Sequence, residues 1–158
     1  MDPKRELLRH TVATVAYRGG KAIRDTTDAF ASFRPADAAR SPAQILAHIG
    51  DLYDWALSIA NGAQAWNDSP PLAWPQEMAR FFETLARFDA YLASTAPIAC
   101  PPEQLFQGPI ADSLTHVGQL TMLRRLAGVR MRSENYFRAD IVAGRVGAEQ
   151  TAPRREFD

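Results

Sequence analysis

Apolar residues in this chain recur at helical spacing, and strand-like alternation is nearly absent. Phe81, Leu85, Phe88 and Leu92 follow one another at intervals of four, three and four, which lines them along one side of a helix. Leu8, Val12 and Val15, extended by Ile23, draw a second stripe. Prolines open such segments and do not interrupt them. Asp2-Pro3 supplies an N-cap followed by proline at the first helical position, where the missing N–H is one of the unpaired donors anyway. Ser41-Pro42-Ala43-Gln44 adds capping-box spacing to the same signal. The pattern predicts a first helix from Pro3 past Val15, with Gly19-Gly20 a place for a kink or break. A second runs from Pro42 to Asn61 and stops at Gly62, a third from Pro75 to Ser94, and a fourth from Pro109 to Ala127 with Gly128 after it. Residues 33–40, 66–74 and 95–108 read as connectors. The expected architecture is an all-α four-helix bundle in a single domain, 1–158. Ser133-Glu134 opens a short extra C-terminal helix through Ala143. The polar tail, about 144–158, shows no periodic face and is expected to be extended or held by a few contacts.

At 158 residues the chain can bury a sizeable core without disulfides or a structural metal. Lys plus Arg (18) equals Asp plus Glu (18), so the basic excess of a general nucleic-acid binder is missing. No apolar stretch approaches the roughly 20 residues that span a bilayer, and the first ten residues lack the apolar core of a signal peptide. The lone cysteine, Cys100, cannot form an intramolecular disulfide. A cytoplasmic, reducing location is expected, with no nucleic-acid or membrane partner. Cys100 precedes Pro101-Pro102, away from any helix N-terminus that would activate a thiol.

Two of the three histidines sit in an internal echo. His48-Ile49-Gly50-Asp51-Leu52 in the second predicted helix matches His116-Val117-Gly118-Gln119-Leu120 in the fourth. Each glycine is mid-helix, where it costs about 1 kcal/mol relative to alanine. A close backbone approach would offset that cost. Asp112 and His116 are four residues apart, so they share one helix face, a spacing that suits two ligands of one metal. With His48 they make two histidines and a carboxylate, a set that leaves coordination positions open and admits Zn, Ni, Fe or Mn. Asp51 and Gln119 each lie one turn beyond a histidine, where they can hold an imidazole tautomer or a bound water. The plain alternative is a pair of hydrogen-bonded histidines with no metal. His10 falls opposite the apolar stripe of the first helix and reads as exposed.

On Ala47-His48-Ile49-Gly50-Asp51-Leu52, and on Asp112-Ser113-Leu114-Thr115-His116-Val117-Gly118-Gln119-Leu120, the sequence resembles the DinB-like superfamily, also called the YfiT-like metalloenzymes. The likeness extends over most of the chain, including the apolar third helix and Leu123-Arg124-Arg125-Leu126-Ala127-Gly128. It implies a four-helix bundle, often a homodimer. It also implies a divalent metal bound by one histidine of the second helix and a His-x-x-x-His pair of the fourth, so His48 and His116 take ligand roles. Asp112 stands where the family pattern has the first histidine of the pair. The implied function is a divalent-metal-dependent hydrolase or thiol-dependent transferase or isomerase, acting on a small molecule, including a low-molecular-weight thiol. The contrasting reading is a non-catalytic binding or stress-response bundle that has lost activity.

Other features are weaker. Arg124, Arg125, Arg130, Arg132 and Arg138 cluster late in the chain, either as favourable charge at a helix C-terminus or as an anion-binding rim. Tyr53, Trp55, Trp66 and Trp74 are core bulk or a pocket wall. Glu134 and Tyr136 could reach the metal site if the fifth segment crosses the bundle mouth. No residue is assigned a catalytic role from the sequence.

Overall fold

The helices start where capping chemistry puts them. In the computed structural model, which describes residues 2–158, α1 spans Pro3–Ile23, and the Asp2 side chain accepts from Lys4 N at its head. Next come a single short turn, α2 (Asp28–Ala31), and then α3 (Pro42–Ala60), where Ser41 and Gln44 form a full capping box. α4 covers Trp74–Ala93. α5 (Pro102–Leu105) runs through a π turn, Phe106–Ile110, into α6 (Ala111–Leu126). Helical backbone therefore begins at Pro102, and Pro109 lies inside it and not at its head. Proline has no N–H for the preceding turn, and the wider π turn absorbs the missing bond. Ser113 Oγ donates to the Pro109 carbonyl at 2.6 Å.

The long helices form an all-α bundle. α3 packs on α4, α4 on α1, α1 on α6 and α6 on α3, a closed ring around one core. Val12, Leu46, Ile49, Phe81, Leu85 and Leu120 fill it, each fully buried. α1 runs unbroken through Gly19-Gly20. A Cβ on Gly19 would sit 2.5 Å from Phe81 Cζ, so the missing side chain lets α4 press its ring against the α1 backbone. Beyond Ile23 the orphan carbonyls at the end of α1 are satisfied by Arg124 of α6. Its buried guanidinium donates to Lys21 O, Ala22 O and Arg24 O at 3.0, 3.1 and 2.8 Å. The late arginine cluster is thus mostly structural. Arg124 caps α1, Arg125 bonds Ser133, and Arg130 and Arg132 pair with Asp158.

The expected fifth helix does not form. Ser133–Glu134 is instead a short strand, β1, antiparallel to β2 (Glu156–Phe157), with Ser133 opposite Phe157 and Glu134 opposite Glu156. Only a 3-10 turn, Tyr136–Arg138, remains of the helical expectation. The cause is tertiary. Extended backbone lets Glu134 reach Tyr17 Oη at 2.6 Å and Lys21 Nζ at 2.7 Å on α1, and Lys21 also holds Glu156 at 2.7 Å. The tail is thereby tied to α1, and Val146 within it is buried. Among the described residues no helix is long and apolar enough to cross a membrane.

Candidate metal centre

His48 lies two turns into α3. Asp112 and His116 lie one turn apart near the start of α6, and α3 and α6 are neighbours in the ring. The three side chains meet. His116 Nε2 is 3.5 Å from one Asp112 oxygen, and His48 Nε2 is 3.8 Å from the other. The two imidazole rings are nearly perpendicular, with centroids 4.7 Å apart. One donor atom from each residue falls within 4.8 Å of the other two. Donors about 2.1 Å from a tetrahedral ion stand about 3.4 Å from one another. The cluster is therefore within a small side-chain adjustment of holding a divalent metal, and its donor set of two imidazoles and a carboxylate fits one.

The surroundings favour that role. His116 Nδ1 is 2.8 Å from Gln119 Oε1. An amide oxygen can only accept, so Nδ1 is the donor in this pair and the other ring nitrogen, Nε2, faces Asp112. Burial pulls the pKa of His48 below its ordinary value, and the charges of His116 and Arg40 add to the effect. Its imidazole is thus neutral at physiological pH, as a ligand must be. Trp66 packs edge-on against His48, with centroids 5.6 Å apart, and Trp55 backs Trp66. The Asp112 side chain is 47% exposed against 18% and 11% for the histidines, so the cluster opens to solvent on the carboxylate side.

Two cavities flank it. One of about 460 Å³ is walled by His116, Gln119, Ile45, Met122, Leu123 and Leu126. The other, about 370 Å³, is more polar and is lined by His48, Gln44, Asp51, Asp68 and Ser69. Arg40 borders both.

The family model of the DinB superfamily matches residues 19–122, well over half of the chain. The chain belongs to the DinB superfamily. The matched segment holds His48, Asp112 and His116. No curated protein matches the sequence, and no solved structure does.

Within this DinB-superfamily bundle the remaining sequence candidates fall in different places. Asp51 is buried on α3 and bonds to Arg80 of α4 at 2.5 Å and to the Ser69 backbone N–H at 2.9 Å. It anchors the 66–73 loop, which carries Trp66 to His48, and its hydrogen bonds go to that loop and to α4 rather than to an imidazole. Glu77, fully buried, holds the same loop through Leu72 N at 2.8 Å. Arg80 links the two carboxylates and also donates to Ala47 O at 3.2 Å. Arg80 and Glu77 escape a reading of the sequence because they sit on the polar flank of an amphipathic helix, where charge is ordinary. The one available signal was the mid-helix Gly50, which faces Arg80. Glu134 and Tyr136 contact Tyr17, Lys21 and Arg18 of α1, not the cluster. Trp74 is buried against Phe30 and Tyr53 against Phe88, as core. Burial pushes the Cys100 thiol up, so it stays protonated at neutral pH. His10 is exposed.

Proposed function

We propose that this DinB-superfamily protein is a divalent-metal-dependent enzyme of the hydrolase or thiol-dependent transferase and isomerase type, with His48, Asp112 and His116 holding the ion. The convergence of those three donors from two helices carries the reading. Such an ion would supply Lewis acidity, lowering the pKa of a water molecule or of a thiol. The chain's own residues do the rest. Gln119 sets the tautomer of His116, while Trp66 and the anchored loop shield His48 from bulk solvent. Asp112 leaves one side open to a small molecule from either cavity. Zn, Ni, Fe and Mn all accept this donor set.

The deciding experiment is the metal content of untagged protein, purified without a nickel column, beside a His116→Ala variant. The expected result is near-stoichiometric metal in the parent and none in the variant. A parent that takes up no metal, even after incubation with Zn, Ni, Mn and Fe(II), would overturn the metalloenzyme reading and leave a binding bundle.

A further inference from the structure

Arg40 occupies a singular place beside the cluster. It is the residue shared by the two flanking cavities, one walled in part by His116 and the other by His48. It is exposed, and among the described residues nothing hydrogen-bonds or ion-pairs with its guanidinium. The arginines of the nearby α3–α4 face are all satisfied: Arg80 by Asp51, and Arg87 by Asp54.

The backbone that carries Arg40 is nonetheless fixed on both sides. Arg34 donates to Ala39 O at 2.8 Å and to Gln44 Oε1 at 3.0 Å, and Ser41 N donates to the same Gln44 oxygen at 3.0 Å. A rigid mount with an unpaired guanidinium is an arrangement ready to accept an anion with little ordering cost.

The two cavities differ in what they would accept next to that anion. The one on the His48 side carries the Asp68 carboxylate, which repels further negative charge, while its Asp51 is already paired with Arg80. The one on the His116 side is mainly apolar, and it leaves Met122 and Leu126 each 57% exposed, one helical turn apart. Apolar side chains left in water along a concave wall gain from an apolar occupant.

We infer that Arg40 is the anion-recognising residue of this site, and that the ligand is an amphipathic anion with one carboxylate-class head on Arg40 and an apolar body along Ile45, Met122, Leu123 and Leu126. Arg40 would select the ligand of the metal site proposed above, so its standing as a substrate-specificity residue rests on that reading. The anion contact itself does not need the metal.

Calorimetric titration of metal-free protein with octanoate, butanoate and octylammonium tests it, in the parent and in Arg40→Gln. Octanoate is expected to bind the parent, and Arg40→Gln to raise its dissociation constant roughly tenfold. Butanoate, four methylenes shorter, should bind at least about tenfold more weakly than octanoate, and octylammonium should lose to octanoate by a similar factor. Matching thermal melts for the two proteins confirm that the variant is folded. No octanoate binding by the parent, equal affinity in Arg40→Gln, or equal affinity for octylammonium would each overturn the inference. Zinc is titrated separately. Absent zinc binding with Arg40-dependent octanoate binding removes the metal reading and keeps the anion site. Zinc binding with octanoate insensitive to Arg40 does the reverse.

Discussion

The guanidinium carbon of Arg80 lies 3.0 Å from where a Cβ on Gly50 would be. The side chain crosses the α3 backbone at that point to reach Asp51, which is only 2% exposed, and through Asp51 it fixes the loop against His48. The matching glycine of the echoed segment, Gly118, has nothing within 4 Å. The two glycines therefore answer to different physics. Gly50 makes room for a cation that must pass close to the helix, while at Gly118 no neighbour requires the absence of a side chain.

That difference predicts opposite responses to alanine. Gly118→Ala should stabilise the fold by about 0.5–1 kcal/mol through helix propensity alone. Gly50→Ala gains the same propensity but displaces a guanidinium held by Asp51, Glu77 and Ala47 O, so it should lose about 1 kcal/mol net. Urea unfolding of the two variants beside the parent measures both. Equal stabilisation by both would show that Arg80 moves aside freely.

The buried tie between the tail and α1 predicts a large effect from a single substitution. The Glu134 side chain is fully buried and Lys21 is 8% exposed. Lys21→Met leaves the Glu134 carboxylate with only the Tyr17 hydroxyl, and should destabilise by about 3–5 kcal/mol, the usual cost of breaking a buried ion pair. Lys21→Met combined with Glu134→Gln should recover much of the loss, because no uncompensated charge remains. A double-mutant cycle by denaturant unfolding measures the coupling, and additive losses would contradict it.

The same tie sets a pH window. The hydrogen bond from Lys21 holds the Glu156 carboxyl below its ordinary value of 4.5; burial opposes it, and the charges of Lys21 and Arg132 add to it. A depressed carboxyl stabilises above its unfolded value and loses that contribution as pH falls through its folded one. For Lys21, burial pulls the pKa down, but the hydrogen bonds to Glu134 and Glu156 outweigh it and leave the pKa above 10.5. Its contribution is full below 10.5 and is lost as pH rises through the folded value. Melting temperatures of the parent and Glu156→Gln should differ near neutrality and converge as pH drops below 4.5. A gap that persists there would assign the stabilisation to something other than this carboxylate.

Legibility from the sequence followed the range of the interactions. The starts of α1 and α3 were readable because Asp2-Pro3 and Ser41–Gln44 act within one helical turn. The histidines stood out because there are only three, and two share a pattern. Glu134 as a strand residue was not readable, since its partners Lys21 and Tyr17 are 113 and 117 positions away. Asp51 shows the same limit at shorter range. Its spacing from His48 is right for supporting an imidazole, but spacing on one helix cannot say that the next helix brings an arginine to the same carboxylate. Gln119 faces no such competitor, and its hydrogen bond is to the histidine one turn before it.

Gln119 therefore offers the sharpest test of the site that leaves the three donors in place. Gln119→Leu removes the acceptor that keeps the His116 proton on Nδ1, freeing the ring to rotate or to place its proton on Nε2. Zinc affinity should fall about 10–100-fold, the usual effect of losing the partner of a metal-bound histidine. Folded stability should change by no more than about 0.5 kcal/mol, because the side chain is exposed. Gln119→Glu keeps an acceptor at the same place and adds charge that raises the basicity of the ring, so it should bind zinc at least as tightly as the parent. Competition titration against a zinc chelator ranks the three proteins. Equal affinity in Gln119→Leu and the parent would mean that the 2.8 Å contact plays no part in orienting His116.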